Sequence, residues 1–284
     1  MFNNKIQIIN SDLQTMDFGI KLPYKVIDLD GVGNMSNYLS IKESPYLDGT
    51  QVFGHKREAQ EIHLQMWVSG TDREDFLLKR KEFQDFFSPK KTSIMIWEDE
   101  FCLDLEHKGY QELKGPNFEF YTDQAWSVTL YAPYPYWYGK VSNMKMFNLE
   151  TGGFELPFSY PFSLETTKIV TAVLNEGNMV TPVTWKIRGP LVYPSMYNIS
   201  TGKKLEFDVE LFEGDILDIE TDTKNRHATI TRANGDIENA ISFRTGGSEM
   251  WWMEKGTNDL AVSVFDSGLS AYIKMWHKNW VVGV

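Results

Sequence analysis

Residues Glu61–Ser69 read EIHLQMWVS and run through Gly70 into Thr71-Asp72-Arg73-Glu74. Side chains alternate faces along an extended chain, so Ile62, Leu64, Met66 and Val68 share one side while His63, Gln65 and Ser69 share the other. That pattern predicts a half-buried strand. Immediately after it, Thr71 and Glu74 stand at the spacing of a capping box, in which each side chain satisfies a backbone N–H at the start of a helix. Phe76, Leu77, Phe83 and Phe87 then recur at helical spacing, and Ser88-Pro89 closes the run, because proline disfavours helix at the residue before it. A strand followed by one helix over Thr71–Phe87 is therefore the frame for everything around it.

Working outward, the flanking text is strand and turn. Lys5–Ile9 and Tyr24–Asp30 precede it; Ser93–Trp97, Phe101–Glu106 and Ala125–Tyr131 follow, the last alternating Trp126, Val128 and Leu130 with Ser127, Thr129 and Tyr131. The segment APYPYWYG, Ala132–Gly139, carries two prolines that cannot donate to a sheet ladder, and places a domain boundary near residue 140. Beyond it, Thr184–Arg188, Leu205–Leu211 and Leu217–Thr221 are short apolar or alternating runs. Ala228–Ile237 encloses Asn234-Gly235, a pair suited to a two-residue type I′ hairpin. Ala271–Val284 reads as one or two closing strands. Such spacing predicts a sandwich or barrel, so the chain is mainly β, with domains at 1–138 and 139–284.

Composition agrees. Among 284 residues, aromatics make up 14% (18 Phe, 13 Tyr, 9 Trp), and rings favour pleated, half-buried surfaces. Charge balance is 28 Lys+Arg against 39 Asp+Glu, net −11, which opposes tight binding to nucleic-acid phosphates. The single cysteine, Cys102, permits no intrachain disulfide, and no Cys/His grouping suggests zinc. The opening MFNNKIQIINSDLQ lacks the pattern of a secretory leader, and no segment reaches the roughly 18 apolar residues of a membrane span. Synthesis and folding in a reducing cytoplasm are expected.

The search for chemistry returns little. Gly31-Val32-Gly33 imitates a dinucleotide turn, but the following NYLSIKESP has no helical stripe to hold a pyrophosphate, so it reads as a loop. The five histidines (His55, His63, His107, His227, His277) form no i, i+4 pair and read as surface or edge-strand residues. Asp218–Asp222 alternates acids like a calcium loop, yet lacks its glycine and closing glutamate. Glu98-Asp99-Glu100 could supply a carboxylate pair for glycoside hydrolysis, but adjacent acids between short strands read as a solvated hairpin turn. No catalytic residue, metal ligand or cofactor is expected. Trp251 and Trp252 remain as candidates for contact with a partner or a sugar ring; the alternative puts one ring in the core and its neighbour at a subunit contact.

Several stretches taken together resemble one family. Tyr46-Leu47-Asp48-Gly49-Thr50, then Gly54, Arg57 and Glu58 leading into Glu61–Val68, the helix after it, and WSVTLYAPYPYWY over Trp126–Tyr138 resemble the distal tail proteins of siphoviruses, especially those of Gram-positive hosts. In the second half Asn175-Glu176-Gly177, Thr181-Pro182, Trp185–Gly189, Asn198–Gly202, Glu213-Gly214-Asp215 and Gly256-Thr257-Asn258 continue the likeness. The resemblance implies an N-terminal β-sandwich or split barrel with one helix, forming the wall of a hexameric ring, and a galectin-like antiparallel β-sandwich projecting from it. It implies a non-enzymatic hub at the virion tail tip, made in the bacterial host cytoplasm. That hub would contact the tail-tube protein, a tail-associated tip protein and receptor-binding proteins around a channel for DNA. Asp48, Gly49, Thr50 and Gly54, where the pattern is densest and the residues are turn formers, are the candidate oligomer interface. The chain departs from the family in its Trp251-Trp252 pair and in lacking the long insertions of members that carry sugar-binding modules. The rival reading is a module for cell-wall polysaccharide.

Overall fold

The computed structural model describes residues 5–33, 36–43, 48–115, 120–149 and 167–284. Tyr46 and Leu47 of the resemblance motif and Asn34 and Met35 of the glycine turn lie outside the described residues. The chain divides into two compact units, residues 1–140 with 281–284, and residues 141–280.

The first unit holds β1 (Ile6–Asn10), β2 (Thr15–Phe18), β3 (Tyr24–Asp30), β4 (Asn37–Glu43), β5 (Thr50–Arg57), β6 (Gln60–Ser69), α1 (Arg73–Phe86), β7 (Thr92–Trp97), β8 (Phe101–Glu112), β9 (Asp123–Ala132) and β10 (Trp137–Gly139). Its main sheet runs β2-β1-β7-β8-β9-β6-β3, with β10 beside β8. The two outer strands approach one another at a bridge between Gly19 and Lys25, so the sheet curls into a split barrel. The predicted stripe of β6 lies inside it: Ile62, Leu64, Met66 and Val68 are all fully buried. Their partners across the antiparallel ladder are equally apolar, Ile62 facing Leu130, Leu64 facing Val128 and Met66 facing Trp126. Pairs of this kind set the register, because a slip of one residue would turn every one of them to solvent.

Helix α1 begins one residue later than the capping-box reading. Asp72 is the N-cap, its Oδ1 accepting from the Asp75 N–H at 2.9 Å, and Asp75 reaches back to accept from the Thr71 N–H at 2.8 Å. The reciprocal cap thus belongs to two aspartates, and the Thr71 hydroxyl donates to Asp75 instead of capping. Phe76, Phe83, Phe86 and Phe87 are buried, whereas Leu77 is 46% exposed. Leu77 sits beside Phe76 in sequence and so a hundred degrees around the helix, and Phe86 takes the inward place assigned to it. Gly70 is required at the junction, since a Cβ there would lie 2.3 Å from the Phe76 backbone nitrogen. Gly31, with φ +96°, is required for the same reason: its Cβ would lie 2.2 Å from the Glu61 carbonyl oxygen, so the glycine turn serves packing.

The second unit adds β11 (Asn143–Phe147), β12 (Thr167–Asn175), β13 (Val183–Arg188), β14 (Leu191–Val192), β15 (Ser195–Asn198), β16 (Lys203–Glu206), β17 (Glu210–Leu211), β18 (Ile216–Glu220), β19 (His227–Thr231), β20 (Ile237–Asn239), β21 (Gly256–Val264), β22 (Asp266–Ser267) and β23 (Tyr272–His277). A six-stranded sheet, β11-β23-β13-β18-β19-β20, and a four-stranded sheet, β12-β21-β15-β16, share one core, with a small sheet β17-β14-β22 alongside. Trp185, Leu217, Ile219, Ile273 and Met275 come from the first sheet, and Met196, Leu205, Leu260 and Val262 from the second. This is an antiparallel β-sandwich. Tyr193, before β15, holds φ +54°, a left-handed backbone that costs a side-chain-bearing residue about 1–2 kcal/mol.

Three local readings change. The Ala228–Ile237 turn is not a two-residue type I′ turn. The Gly235 N–H donates to the Arg232 carbonyl at 2.9 Å, Gly235 has φ +92° and Asn234 is not left-handed, which makes a type I turn with a glycine bulge. Leu205–Leu211 is broken between β16 and β17, which lie in different sheets. His107 and His277 are buried rather than at the surface, each 5% exposed.

Candidate assembly surface

Strands β4 and β5 pair only with each other, from Asn37 opposite Arg57 to Glu43 opposite Thr50. Every residue of β4 is exposed, as is nearly all of β5, so neither face of this hairpin is covered. Yet Ile41 and Val52 stand directly opposite and share a face with Leu39, at 55%, 51% and 45% exposure. Between the pairs Ser40–Gly54 and Ile41–Val52 the register shifts, leaving Phe53 as the extra residue of a bulge, 65% exposed. A two-stranded hairpin has little stability alone in water, and an apolar face on one raises the cost of leaving it uncovered.

The four expected interface residues fall on this hairpin. Asp48 and the left-handed Gly49 (φ +87°) are exposed just before β5, Thr50 opens β5, and Gly54 pairs with Ser40 beside the bulge. The residues that give the hairpin its apolar character, Leu39, Ile41, Val52 and Phe53, were not among them. NYLSIKESP carries the alternation faintly, as Leu39 and Ile41 two apart.

The two tryptophans separate. Trp251 is 2% exposed, its ring 5.8 Å from that of Trp185, and its indole N–H donates to the Met196 carbonyl at 3.2 Å. It presents no face to a ligand. Trp252 is half-buried, edge-on to Trp280 at 5.4 Å, and donates to the Thr221 carbonyl at 2.8 Å. Glu98, Asp99 and Glu100 form a hairpin turn between β7 and β8, where Asp99 meets Lys5 and Lys140 and Glu98 accepts from the Lys5 N–H. Among the described residues no group of three or more His, Cys, Asp or Glu side chains could hold a metal ion. Nor is any helix there long and apolar enough to cross a membrane.

One buried ion pair organises the sandwich. Asp215, its side chain 3% exposed, meets Arg232 at 2.8 Å and accepts from the Phe212 and Ala233 N–H groups at 3.0 and 2.9 Å. Burial pushes this carboxyl up, but Arg232 and the two amides outweigh it and hold it below the ordinary value. Its folded value being depressed, Asp215 contributes stability that is whole above about pH 4 and is lost as pH falls through the depressed value. Asp215→Ala is expected to lower the stability of the second unit by about 2–3 kcal/mol at pH 7, below the 3–5 of a fully buried pair. The reason is that Arg232 is 25% exposed and keeps Glu238 at 2.7 Å. Denaturant melts at pH 7 and pH 3 check this: the variant should lose less on acidification than the parent, and an equal loss would remove Asp215 from the account.

Comparison with known proteins follows the same lines. A family model described as the phage tail protein RIFT-related domain matches residues 11–159. The fold is similar to that of the SPP1 Dit (gp 19.1) protein, described as a paradigm of the hub adsorption apparatus in phages infecting Gram-positive bacteria. The TM-score is 0.68 at 12% identity, covering 97% of this chain and 98% of that one. It is also similar to a chain of the phage P2 baseplate in its activated conformation with Ca, at a TM-score of 0.54 and 12% identity, covering 99% of each. No curated protein matches the chain.

Proposed function

Because the chain belongs to the phage tail protein RIFT-related domain family, we propose that it is the hub subunit of a long non-contractile tail. In this reading six copies close a ring through their first units, residues 1–140 with 281–284, joining the tail-tube protein to the tail-tip protein around a channel for DNA. The second units, residues 141–280, project as platforms for receptor-binding proteins. The observation that carries the reading is the β4–β5 hairpin: an amphipathic arm with Leu39, Ile41 and Val52 uncovered is suited to lie on the next copy of the same chain. A net charge of −11 fits a wall past which DNA phosphates must move without being held. The likeness in fold to a hub protein and to a baseplate chain supports the same role. No enzymatic role is proposed.

Native mass spectrometry and sedimentation of the full chain test this. A closed six-copy species is expected, and the double variant Ile41→Asp/Val52→Asp should reduce it to a monomer that keeps the parent's circular dichroism spectrum and a cooperative melt, since neither residue is buried in the subunit. A parent chain that remains monomeric across the concentration range, or a ring indifferent to the double variant, would sink the proposal.

A further inference from the structure

A groove of about 370 Å³ lies on the outer side of the four-stranded sheet, lined by Tyr193, Ser195, Glu206, Asp208, Ser263 and Phe265 among others. Its floor is a row across three strands. Ser195 of β15 stands opposite Glu206 of β16 on one side and Ser263 of β21 on the other. At the rim stand two rings, Tyr193 two residues before Ser195 and Phe265 two residues after Ser263, their centroids 6.1 Å apart and each 50% exposed. The backbone beneath both is fixed: the Tyr193 N–H donates to the Val209 carbonyl at 3.0 Å, and the Phe265 N–H to the Val192 carbonyl at 2.9 Å. Tyr193 keeps its exposed ring in place with a left-handed backbone, φ +54°. Strain of this kind in a bulky residue clusters at functional sites. The phenol itself makes no hydrogen bond among the described residues, so the ring is held by its backbone and by Phe265 alone.

From this arrangement we propose that the groove binds a neutral saccharide, with a pyranose ring seated on Tyr193 and Phe265 and its hydroxyls on the polar floor. Glu206 is held by Lys204 at 2.9 Å, by the Thr245 hydroxyl at 3.1 Å and by Ser195 at 3.3 Å, so its charge is compensated and its remaining lone pairs can accept. The Ser263 hydroxyl can donate or accept, and the Ser195 and Thr245 oxygens, whose protons go to Glu206, can accept, which suits a polyol. The Asp208 carboxylate and the Ser263 hydroxyl have no hydrogen-bond partner among the described residues and face the same space. A purely apolar partner segment would desolvate these groups without replacing their water, at a cost. Volume places the groove inside the small-ligand range of about 300–1,000 Å³. The site is separate from Trp251 and Trp252 and goes beyond the platform role, for it would let the second unit itself touch a polysaccharide surface.

Saturation-transfer NMR on the full chain, against neutral tetrasaccharides of glucose, galactose and N-acetylglucosamine, tests the proposal. Saturable binding of at least one, with Kd on the order of a millimolar, is expected. Tyr193→Gly should weaken it at least about tenfold without lowering the melting temperature, because glycine accepts the left-handed backbone that tyrosine resists. Phe265→Ala should weaken it similarly. Binding to none of the three, binding untouched by both substitutions, or transfer only to tetramethylammonium would overturn it. Ring formation is read separately by mass, so failure of the saccharide site and failure of the hub reading are distinguishable.

Discussion

Phe83→Ala is expected to lower the stability of the first unit by about 3–5 kcal/mol, the range for deleting a buried ring. Phe83 is fully buried, and its ring lies 5.0 Å from Phe87, 5.2 Å from Trp126 and 6.0 Å from Tyr110. These contacts tie α1 to β8 and β9, so the cavity opens at the point where helix meets sheet, and three large rings cannot collapse into it without leaving their rotamers. Calorimetry of the full chain should show the transition of one unit fall by roughly 10 °C while the other stays put. A shift near zero would mean that the helix face does not carry this core. Leu77→Ala serves as the contrast: 46% exposed, it should change little.

Trp251→Ala should act as strongly on the other unit, again by about 3–5 kcal/mol. Trp185, Trp251 and Phe147 form one aromatic stack, with Phe147 and Trp251 each 5.8 Å from Trp185, and the indole of Trp251 also closes a buried hydrogen bond to β15. Trp251→Phe retains most of the ring and gives up the hydrogen bond, for an expected cost of about 1–2 kcal/mol. Trp252→Ala removes a half-buried ring and should fall between the two. If Trp251→Ala melts like the parent while Trp252→Ala does not, the inward and outward assignments are reversed.

The sequence was most legible where burial imprints a period. Ile62, Leu64, Met66 and Val68 announce β6 because one face is dry, and the aromatic spacing after Gly70 announces α1 because its inner face is too. Where nothing is buried, no period is imposed. β4 is exposed along its whole length, so no burial marks it, and the short alternation of Leu39 and Ile41 in NYLSIKE is too faint to separate it from a loop. His107 was hidden differently: it continues the inward alternation of Leu103 and Leu105 along β8, but a histidine adds nothing to an apolar stripe, and the Ser88 carbonyl and Ser93 hydroxyl that meet its ring come from elsewhere in the chain. The groove at Tyr193 and Phe265 depends on β15 and β21 being neighbours, which no local reading supplies. Trp251 and Trp252 must point to opposite sides by simple alternation. Which of them points inward is decided by Trp185 and Met196, far off in the chain.

Residues 281–284 return to the first unit, and Val281 packs against its core. The second unit is thus spliced into the first rather than hung from its end. On the ribosome residues 281–284 reach the barrel only after the whole sandwich has been translated, so the β4–β5 hairpin is synthesised long before that part of its own unit. If the proposed ring forms, that order favours assembly from released chains over assembly begun by nascent ones. It also means that deleting the sandwich at its near border alone would take a piece of the barrel with it, whereas replacing residues 141–280 by a short tether would spare both ends of the barrel.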